Sequence, residues 1–334
     1  MRAIIHQGQG IAGIQVAEIS TREPGPDEVA IKLKAAALNH RDLWTCLGRN
    51  PDQPPLVLGA DGAGIVTAVG AQVSDLALSS EVVINPSLHW NARSDIPPAT
   101  FEILGSPTHG TLAEQVIVPR ANIERKPTYL SWEEAAALPL SGLTSYRALF
   151  TLGQVQAGMT VVIPGIGGGT ALQAFQFAQA AGARVIVTSS NAQKRERALV
   201  LGADLALESQ SSWSAAVREA TGGKGAHLVI ESVGRATWSE SLRCLARGGK
   251  LVVYGSTSGN IVDIDLPPFF LNWQSVLGTT MGSREEFREM LAFAERFQVR
   301  PIIAQSFSLD DGVAAFHFLE QQRQFGKVIV RLPD

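Results

Sequence analysis

The sequence predicts an α/β protein that combines a β-rich domain with a second domain built on a doubly wound parallel sheet. Up to about residue 129, short apolar segments of period two alternate with turns such as "REPGPDE". From about residue 130, strand-like and helix-like segments follow one another in alternation. A length of 334 residues is too great for one ordinary core, and a hydrophobic content of 45% can fill two.

The β-rich part is predicted to contain six strands and one short helix at 40–47. Segment 86–110 has no regular period and is rich in Pro and Ser, so we expect a long surface excursion that forms a lobe or a lid. The predicted strands cover 3–6, 14–19, 29–34, 64–69, 81–85 and 113–118.

The alternating part begins with "VVIPGIGGGTALQAFQFAQAAGARVIVTSSNAQK" at 161–194. A buried strand, a glycine turn, a helix that ends at Gly182 and a second buried strand follow one another here. This order is typical of the half of a dinucleotide-binding fold in which N–H groups at a helix N-terminus face a pyrophosphate. The predicted strands are 161–164, 184–188, 204–207, 226–231, 250–254 and 275–279, and the predicted helices are 170–181, 191–201, 212–221 and 237–246.

The tail of the chain is expected to return to the first domain. We therefore place the β-rich domain at 1–129 and 281–334, and the dinucleotide-binding domain at 130–280. The predicted tail elements are a helix from 283 to about 297, a helix near 310–322 and a strand at 327–332. The S/T-x-x-E pattern also predicts capping boxes at Thr237 with Glu240 and at Ser283 with Glu286.

Composition excludes several classes of partner. A net charge of −3 and scattered basic residues provide no field for nucleic acid. No apolar run reaches the roughly 18–20 residues that a membrane span needs, and no leader is visible, so we expect a cytoplasmic protein. Two separated cysteines, Cys46 and Cys244, exclude a disulfide framework and a four-thiolate zinc lobe. We expect Cys46 to be a structural thiol.

The glycine turn (residues 165–171) has the rhythm GxxGxxA. Gly165 permits the sharp exit from the strand, Gly168 lets the main chain approach a pyrophosphate, and the small Ala171 lets helix and strand pack closely. A glycine cluster alone indicates only a tight turn, but its place between a buried strand and a helix favours the cofactor-binding interpretation. The predicted contacts in this turn are Gly165, Gly167, Gly168, Gly169, Thr170 and Ala171.

With these motifs in order, the chain resembles the medium-chain dehydrogenase/reductase superfamily along nearly its whole length. The resemblance implies a GroES-like catalytic domain at the two ends of the chain and a Rossmann domain between them. The matching stretches include "PPLVLGADGAGIVTAVG" (54–70), "GTLAEQVIVP" (110–119), "AAALPLSGLTSYRAL" (135–149), "HLVIESVG" (227–234), "GGKLVVYG" (248–255) and "GKVIV" (326–330).

The ligand positions that zinc members of the superfamily use carry no metal donors in this chain. They fall on Asn39, Ala60 and Ser141, and an amide, a methyl and a hydroxyl cannot replace thiolate and imidazole. A substitute site from His40, Asp61, His89 and His109 is conceivable, but no pair of them has metal-ligand spacing. We therefore expect no zinc, and the departure resembles the quinone oxidoreductase branch.

The end of the second Rossmann strand governs the choice of cofactor, because a carboxylate there accepts the ribose hydroxyls of NAD. This chain instead has Thr188, Ser189 and Ser190, followed by Lys194 and further basic residues. Hydroxyls and a cation suit a 2′-phosphate, so we predict NADP(H), with Lys194 on the phosphate. The alternative is that these basic residues only form the solvated face of the next helix.

The resemblance implies reduction of a quinone or an α,β-unsaturated carbonyl, since electron-poor acceptors need no Lewis acid. Asn39, with Ser141 or Thr144, would lie by the nicotinamide and would have an orienting and hydrogen-bonding role, and Asp42 would anchor Asn39. Alternatively, Asn39 only satisfies backbone groups at a helix start. The remaining cofactor contacts are Val233, Gly255, Ser256, Thr279, Met281 and Lys327, and the proposed substrate wall is Trp44, Trp90 and Trp273.

Two other functions stay open from the sequence. One is an alcohol or aldehyde dehydrogenase with an atypical metal site, and the other is a non-enzymatic, crystallin-like NADPH-binding protein. The expected partner is a small-molecule substrate, a quinone, enone or aldehyde. The resemblance also implies a homodimer, with pairing near 261–266.

Overall fold

The computed structural model describes residues 1–333 and divides them into two units, Met1–Leu143 with 282–333, and Thr144–Met281. The elements of the first stretch are β1 (Arg2–His6), β2 (Ile14–Glu18), β3 (Glu28–Leu38), α1 (His40–Gly48), β4 (Leu56–Val57), β5 (Asp61–Val69), β6 (Glu81–Ile84), β7 (Ser87–Leu88), β8 (Glu102–Ile103), β9 (Gln115–Pro119), β10 (Ile123–Arg125), α2 (Trp132–Ala137) and α3 (Pro139–Tyr146).

The second unit is a six-stranded, all-parallel sheet with helices in its crossovers. After a π-helical segment at Arg147–Leu152, its elements are β11 (Thr160–Ile163), α4 (Gly169–Ala180), β12 (Arg184–Ser189), α5 (Ala192–Val200), β13 (Leu205–Glu208), α6 (Trp213–Ala220), β14 (Ala226–Glu231), α7 (Trp238–Arg243), β15 (Leu245–Val253), α8 (Leu266–Leu271) and β16 (Ser275–Gly278).

The strand order of this sheet is β13-β12-β11-β14-β15-β16. The order reverses between β11 and β14, and this reversal marks the switch point at which open α/β sheets bind ligands. The predicted doubly wound sheet is confirmed. Residues 245–249, expected to end a helix or lie in a turn, join β15, because Leu245 pairs with Ala226 ahead of a bulge.

The first unit is completed by the tail, which contributes α9 (Arg284–Arg296), β17 (Ile303–Ser308), α10 (Gly312–Glu320) and β18 (Lys327–Arg331). Its main sheet has the order β10-β6-β5-β3-β18-β17, with β9 also paired to β3. A smaller sheet runs β2-β1-β4. The tail joins the main sheet of the first unit because β18 pairs antiparallel with β3.

The division between the units falls at Leu143, whereas the sequence placed it at residue 129. Residues 130–143 stay with the first unit because α2 packs on β3 and β5. Segment 86–110 is also more ordered than expected, since β7 pairs with β8 and Trp90 is buried. None of the helices in residues 1–333 has the length and apolar character that crossing a membrane would require.

The two predicted capping boxes have different outcomes. At α9, Ser283 accepts a hydrogen bond from the N–H of Glu286, whose carboxylate accepts one from the N–H of Ser283, as predicted. At α7 the prediction is wrong, because the Thr237 hydroxyl donates to the carboxylate of Glu231 at 2.9 Å. A buried carboxylate with unfilled acceptor sites attracts the hydroxyl more strongly than a partly exposed helix end does.

Candidate functional site

Three polar residues that are far apart in sequence meet beside one end of β3. Asn39 follows the last residue of β3, Asp61 is the first residue of β5, and Lys327 is the first residue of β18. Both neighbouring strands run antiparallel to β3, with Asp61 opposite Ala37 and Val328 opposite Leu38. The register of the sheet therefore places the three side chains together, and we call them the polar cluster.

The polar cluster is almost entirely buried, and its members are bonded to one another. Lys327 Nζ donates to Asn39 Oδ1 at 2.6 Å and to Asp61 Oδ2 at 2.8 Å. Asn39 Nδ2 donates to the same Oδ2 of Asp61 at 2.8 Å. The exposed fractions are 8% for Asn39, 0% for Asp61 and 4% for Lys327. The carboxamide is thus held in one orientation, with its oxygen on the ammonium group and its nitrogen on the carboxylate.

Backbone and neighbouring groups hold the polar cluster in place. The N–H of Leu140 donates to Asp61 Oδ1 at 2.7 Å, and the Thr111 hydroxyl donates to the Asp61 carbonyl at 2.7 Å. Asp42 Oδ2 accepts from the backbone N–H of Asn39 at 2.8 Å, and the Asn39 side chain faces the N–H of Asp42, so the two residues form a capping box at the start of α1. Burial raises the pKa of Asp42, while Arg41 at 3.9 Å opposes that shift.

The donors present around Asn39 do not suit a zinc ion. Ala60 is buried and offers only a methyl group, and the Ser141 hydroxyl donates to the carbonyl of Ala137 at 2.9 Å. Asp61 is already paired with an ammonium group. His109, one member of the conceivable substitute site, accepts the N–H of Val57 on Nδ1. No group of three or more His, Cys, Asp or Glu side chains suited to a metal is found within residues 1–333.

The glycine turn of the second unit has the geometry of an anion cradle. Gly165 has φ 71° and Gly167 has φ 134°, conformations that favour glycine. A Cβ on Gly165 would lie 2.5 Å from Cγ2 of Val233. Gly168, the N-cap of α4, instead has open space around its Cβ direction. The first amides of α4 lack intrahelical acceptors, so the turn fits a dinucleotide diphosphate.

The end of β12 lies against this turn. Thr188 is fully buried, and its Oγ1 accepts from the N–H of Gly165 at 3.4 Å, so its side chain supports the turn. Ser189 Oγ accepts from the N–H of Asn191 at 3.2 Å, whereas Ser190 is exposed. Residues 188–191 at the end of β12 include no acidic side chain, so no negative charge there opposes a 2′-phosphate.

Two basic residues after β12 have different positions. The Lys194 side chain lies over the glycine turn, since a Cβ on Gly167 would be 3.2 Å from Lys194 Nζ. Burial lowers the pKa of Lys194, and the neighbouring Arg197 adds to that effect. Arg195 instead donates to the Ser189 carbonyl at 2.6 Å. Lys194 is therefore the better placed of these two to meet a bound phosphate.

A buried carboxylate at the end of β14 was missed as a site residue. Glu231 is 0% exposed, and its Oε1 accepts from the N–H groups of Val233 at 2.7 Å and Gly234 at 3.2 Å. Its Oε2 accepts from the Ser241 hydroxyl at 2.5 Å. Glu231 thereby fixes the loop that contains the predicted contact Val233. In the sequence, the signal for this site was a charged residue at the end of an apolar strand.

On the next strand, Gly255 and Ser256 follow the end of β15, as expected of residues at this sheet edge.

Thr144 and Met281, both predicted near the nicotinamide, meet within the second unit. The Thr144 hydroxyl lies 3.8 Å from Met281 Sδ. Met281 is buried with φ 52°, a left-handed conformation that costs free energy in a non-glycine residue. Thr279 Oγ1 is buried without a hydrogen-bond partner among residues 1–333, a polar atom that suits a ligand amide.

The three tryptophans of the predicted substrate wall do not share one environment. Trp90 is a core residue, 2% exposed, whose indole N–H donates to Ser94 Oγ, so its assignment to an open wall is wrong. Trp44 is half exposed and lies edge-on to His40. Trp273 is 64% exposed in the second unit, under the Arg247 guanidinium. Cys46 is buried as expected, and burial raises the pKa of its thiol to about 12.

Comparison with known proteins agrees with this geometry. The family model described as "Alcohol dehydrogenase GroES-like domain" matches residues 25–128, and that described as "Zinc-binding dehydrogenase" matches 169–296. A zinc-type alcohol dehydrogenase-like protein of Schizosaccharomyces pombe is 34% identical over 92% of this chain and 91% of its own length. The chain belongs to the medium-chain dehydrogenase/reductase superfamily. The predicted membership, the fold class and the general activity of an oxidoreductase are thereby confirmed.

Other members differ in the activities they are named for. Quinone oxidoreductase 1 of Escherichia coli is 29% identical over 98% of both chains. A crystal structure of an NAD-dependent alcohol dehydrogenase has a TM-score of 0.92 and 37% identity over 100% of both chains. A 2-octenoyl-CoA carboxylase reductase bound to NADP and 2-octenoyl-CoA has a TM-score of 0.90 and 25% identity over 99% of this chain and 87% of its own. The superfamily depends on nicotinamide cofactors, and its members are named for different substrates and for NAD or NADP.

Proposed function

We propose that this medium-chain dehydrogenase/reductase uses NADP(H) to reduce a quinone or an α,β-unsaturated carbonyl without zinc. The observation that carries the proposal is the polar cluster. At the positions where zinc members hold their metal, this chain has the amide of Asn39 and the methyl of Ala60, and the adjacent Asp61 is bound to the Lys327 ammonium group. A donor set of this kind favours hydrogen bonding to a substrate oxygen over coordination of a metal.

The second unit would hold the cofactor through the glycine turn. The amides at the start of α4 would bind the diphosphate, and Lys194 would bind the 2′-phosphate. When bound, the reduced nicotinamide supplies a hydride from its C4. Val233, positioned by Glu231, and the unpartnered Thr279 hydroxyl would contact the nicotinamide end.

In the first unit, Asn39 would act on the substrate oxygen. A carboxamide nitrogen carries two hydrogens, and Asp61 accepts one of them. The other would be donated to the carbonyl oxygen that gains negative charge as hydride adds to the β-carbon or to the quinone. Because the polar cluster is buried, such a bond is worth more than it would be in water. Water then supplies the proton.

A specific observation favours a second candidate, an alcohol or aldehyde dehydrogenase that uses NAD(H): the alcohol dehydrogenase described above is 37% identical along the whole chain. A panel of quinones, enones, aldehydes and alcohols, tested with NADPH and with NADH, separates the two candidates. We expect turnover of a quinone or an enone with NADPH. Preferred oxidation of alcohols by NAD would select the second candidate, and tight NADPH binding without any turnover would select the non-enzymatic alternative.

We also propose a homodimer formed through the second unit. Strand β16 lies at the edge of the sheet, so one of its sides is not paired with another strand of the sheet, and the residues before it expose large apolar side chains. Light scattering coupled to size exclusion tests this proposal, because the mass of a single chain would contradict it. The exposed apolar side chains are Ile261, Ile264, Leu266, Phe270, Leu271 and Trp273.

A further inference from the structure

We infer that Lys327 is a positioning residue, an internal cation that orients Asn39 for the reaction and supplies positive charge where zinc members have their metal ion. The inference rests on the proposed function, because it names how the same site is polarised. It differs from the sequence expectation that Lys327 contacts the cofactor, since the structure directs its ammonium group to Asn39 and Asp61.

The orientation of the Asn39 carboxamide depends on two opposite charges. The ammonium group can only donate, so it selects the amide oxygen; the carboxylate can only accept, so it selects the amide nitrogen. With Lys327 removed, Oδ1 loses its 2.6 Å donor, and the orientation then depends on Asp61 and on the N–H of Asp42 at the start of α1. Where Asp61 is removed as well, neither charge selects the orientation, and a flipped carboxamide would aim a lone pair, rather than an N–H, at the substrate oxygen.

The same contact strengthens Asn39 as a donor. A charged donor on the amide oxygen draws electron density from the nitrogen, so the remaining Nδ2 hydrogen becomes a better donor toward a developing negative charge. The ion pair with Asp61 at 2.8 Å keeps the ammonium group from imposing a net charge when no substrate is present. Asp61 and Lys327 should therefore act as one unit.

The test uses the full-length protein with Lys327→Met, Lys327→Arg and the doubly neutral Asp61→Leu/Lys327→Met variant. The double variant guards against misfolding, because it leaves no uncompensated buried charge. Turnover of the best quinone or enone is measured at saturating NADPH, together with substrate KM, NADPH affinity by fluorescence titration and the melting temperature.

We expect kcat to fall about 100-fold in Lys327→Met and in the folded double variant, because losing one oriented hydrogen-bond donor to a developing charge typically lowers kcat by about that factor. NADPH affinity should stay within about 3-fold in both variants, since neither alters the glycine turn that would hold the diphosphate. Lys327→Arg should recover part of kcat, because a guanidinium group also only donates.

Two results would overturn the inference. One is a folded double variant with the kcat of the unmodified protein; the other is a weakened NADPH affinity at unchanged kcat, which would make Lys327 a cofactor contact. Failure of the proposed function looks different, because the unmodified protein would then turn over no quinone or enone.

Discussion

Gly168→Ala provides a sharp test of the glycine turn, because the substitution costs the free protein almost nothing. Gly168 has φ −75° and ψ 157°, an extended conformation that alanine adopts readily. A Cβ added there meets no atom within 4 Å. Replacing glycine by alanine at an N-cap costs about 0.5–1 kcal/mol, and the reduced freedom of the unfolded chain, worth about 0.4–1 kcal/mol, offsets most of it. We expect the free energy of unfolding to change by less than about 0.5 kcal/mol.

The cofactor should respond very differently. The open space at Gly168 is where a diphosphate would approach the amides of α4, so the new methyl group would hold it away. Losing one charge-assisted amide bond costs about 1.5–3 kcal/mol, which raises the Kd of NADPH by about 10- to 100-fold. The affinity for NADH should fall by the same factor, because both cofactors share the diphosphate.

The assay is a fluorescence titration of both nucleotides, paired with urea unfolding of the free protein. Gly48→Ala is the matched control, since Gly48 also lacks any atom within 4 Å of its Cβ direction and lies at the end of α1. It should leave both affinities unchanged. Unchanged NADPH binding in Gly168→Ala would refute the assignment of the diphosphate to this turn.

Three further predictions concern single side chains. Lys194→Ala should raise the Kd of NADPH about 10- to 100-fold and leave the Kd of NADH unchanged. Arg195 is bonded to a backbone carbonyl, so Arg195→Ala should leave the preference for NADPH over NADH intact; titrations of both nucleotides measure both effects. Glu231→Gln should lower unfolding free energy by about 1–3 kcal/mol, because an amide cannot accept on both sides; urea unfolding checks this. Burial lowers the pKa of His40 from 6.5, so the stability that the neutral imidazole contributes is complete above pH 6.5 and is lost as pH falls toward the folded pKa. In His40→Gln, the free energy of unfolding should depend less on pH over this range, as urea unfolding at several pH values measures.

The sequence predicted the architecture well because period and glycine placement are local signals. Strand, glycine turn and helix at 161–181 agree with β11 and α4 within one residue at each end. The short strands β4, β7, β8 and β10 escaped prediction, because two or three residues carry no period. β17 was also missed, since "IAQSFS" alternates only weakly.

The polar cluster could not be predicted from the sequence, because Asp61 and Lys327 lie 266 positions apart and their meeting depends on strand register. Asn39 was selected through the resemblance, but neither its acceptor nor its donor was foreseen. Trp90 illustrates the opposite error, in which an aromatic residue in an irregular segment proved to be buried core. Residue type alone does not separate these cases.

Metal analysis of an active preparation tests the central claim most directly. Elemental mass spectrometry is run on the same sample whose quinone or enone turnover with NADPH is measured before and after exhaustive chelation. The account predicts full turnover with far less than one equivalent of divalent metal per chain, unchanged by the chelator. Stoichiometric zinc, together with turnover that the chelator abolishes and added zinc restores, would contradict it.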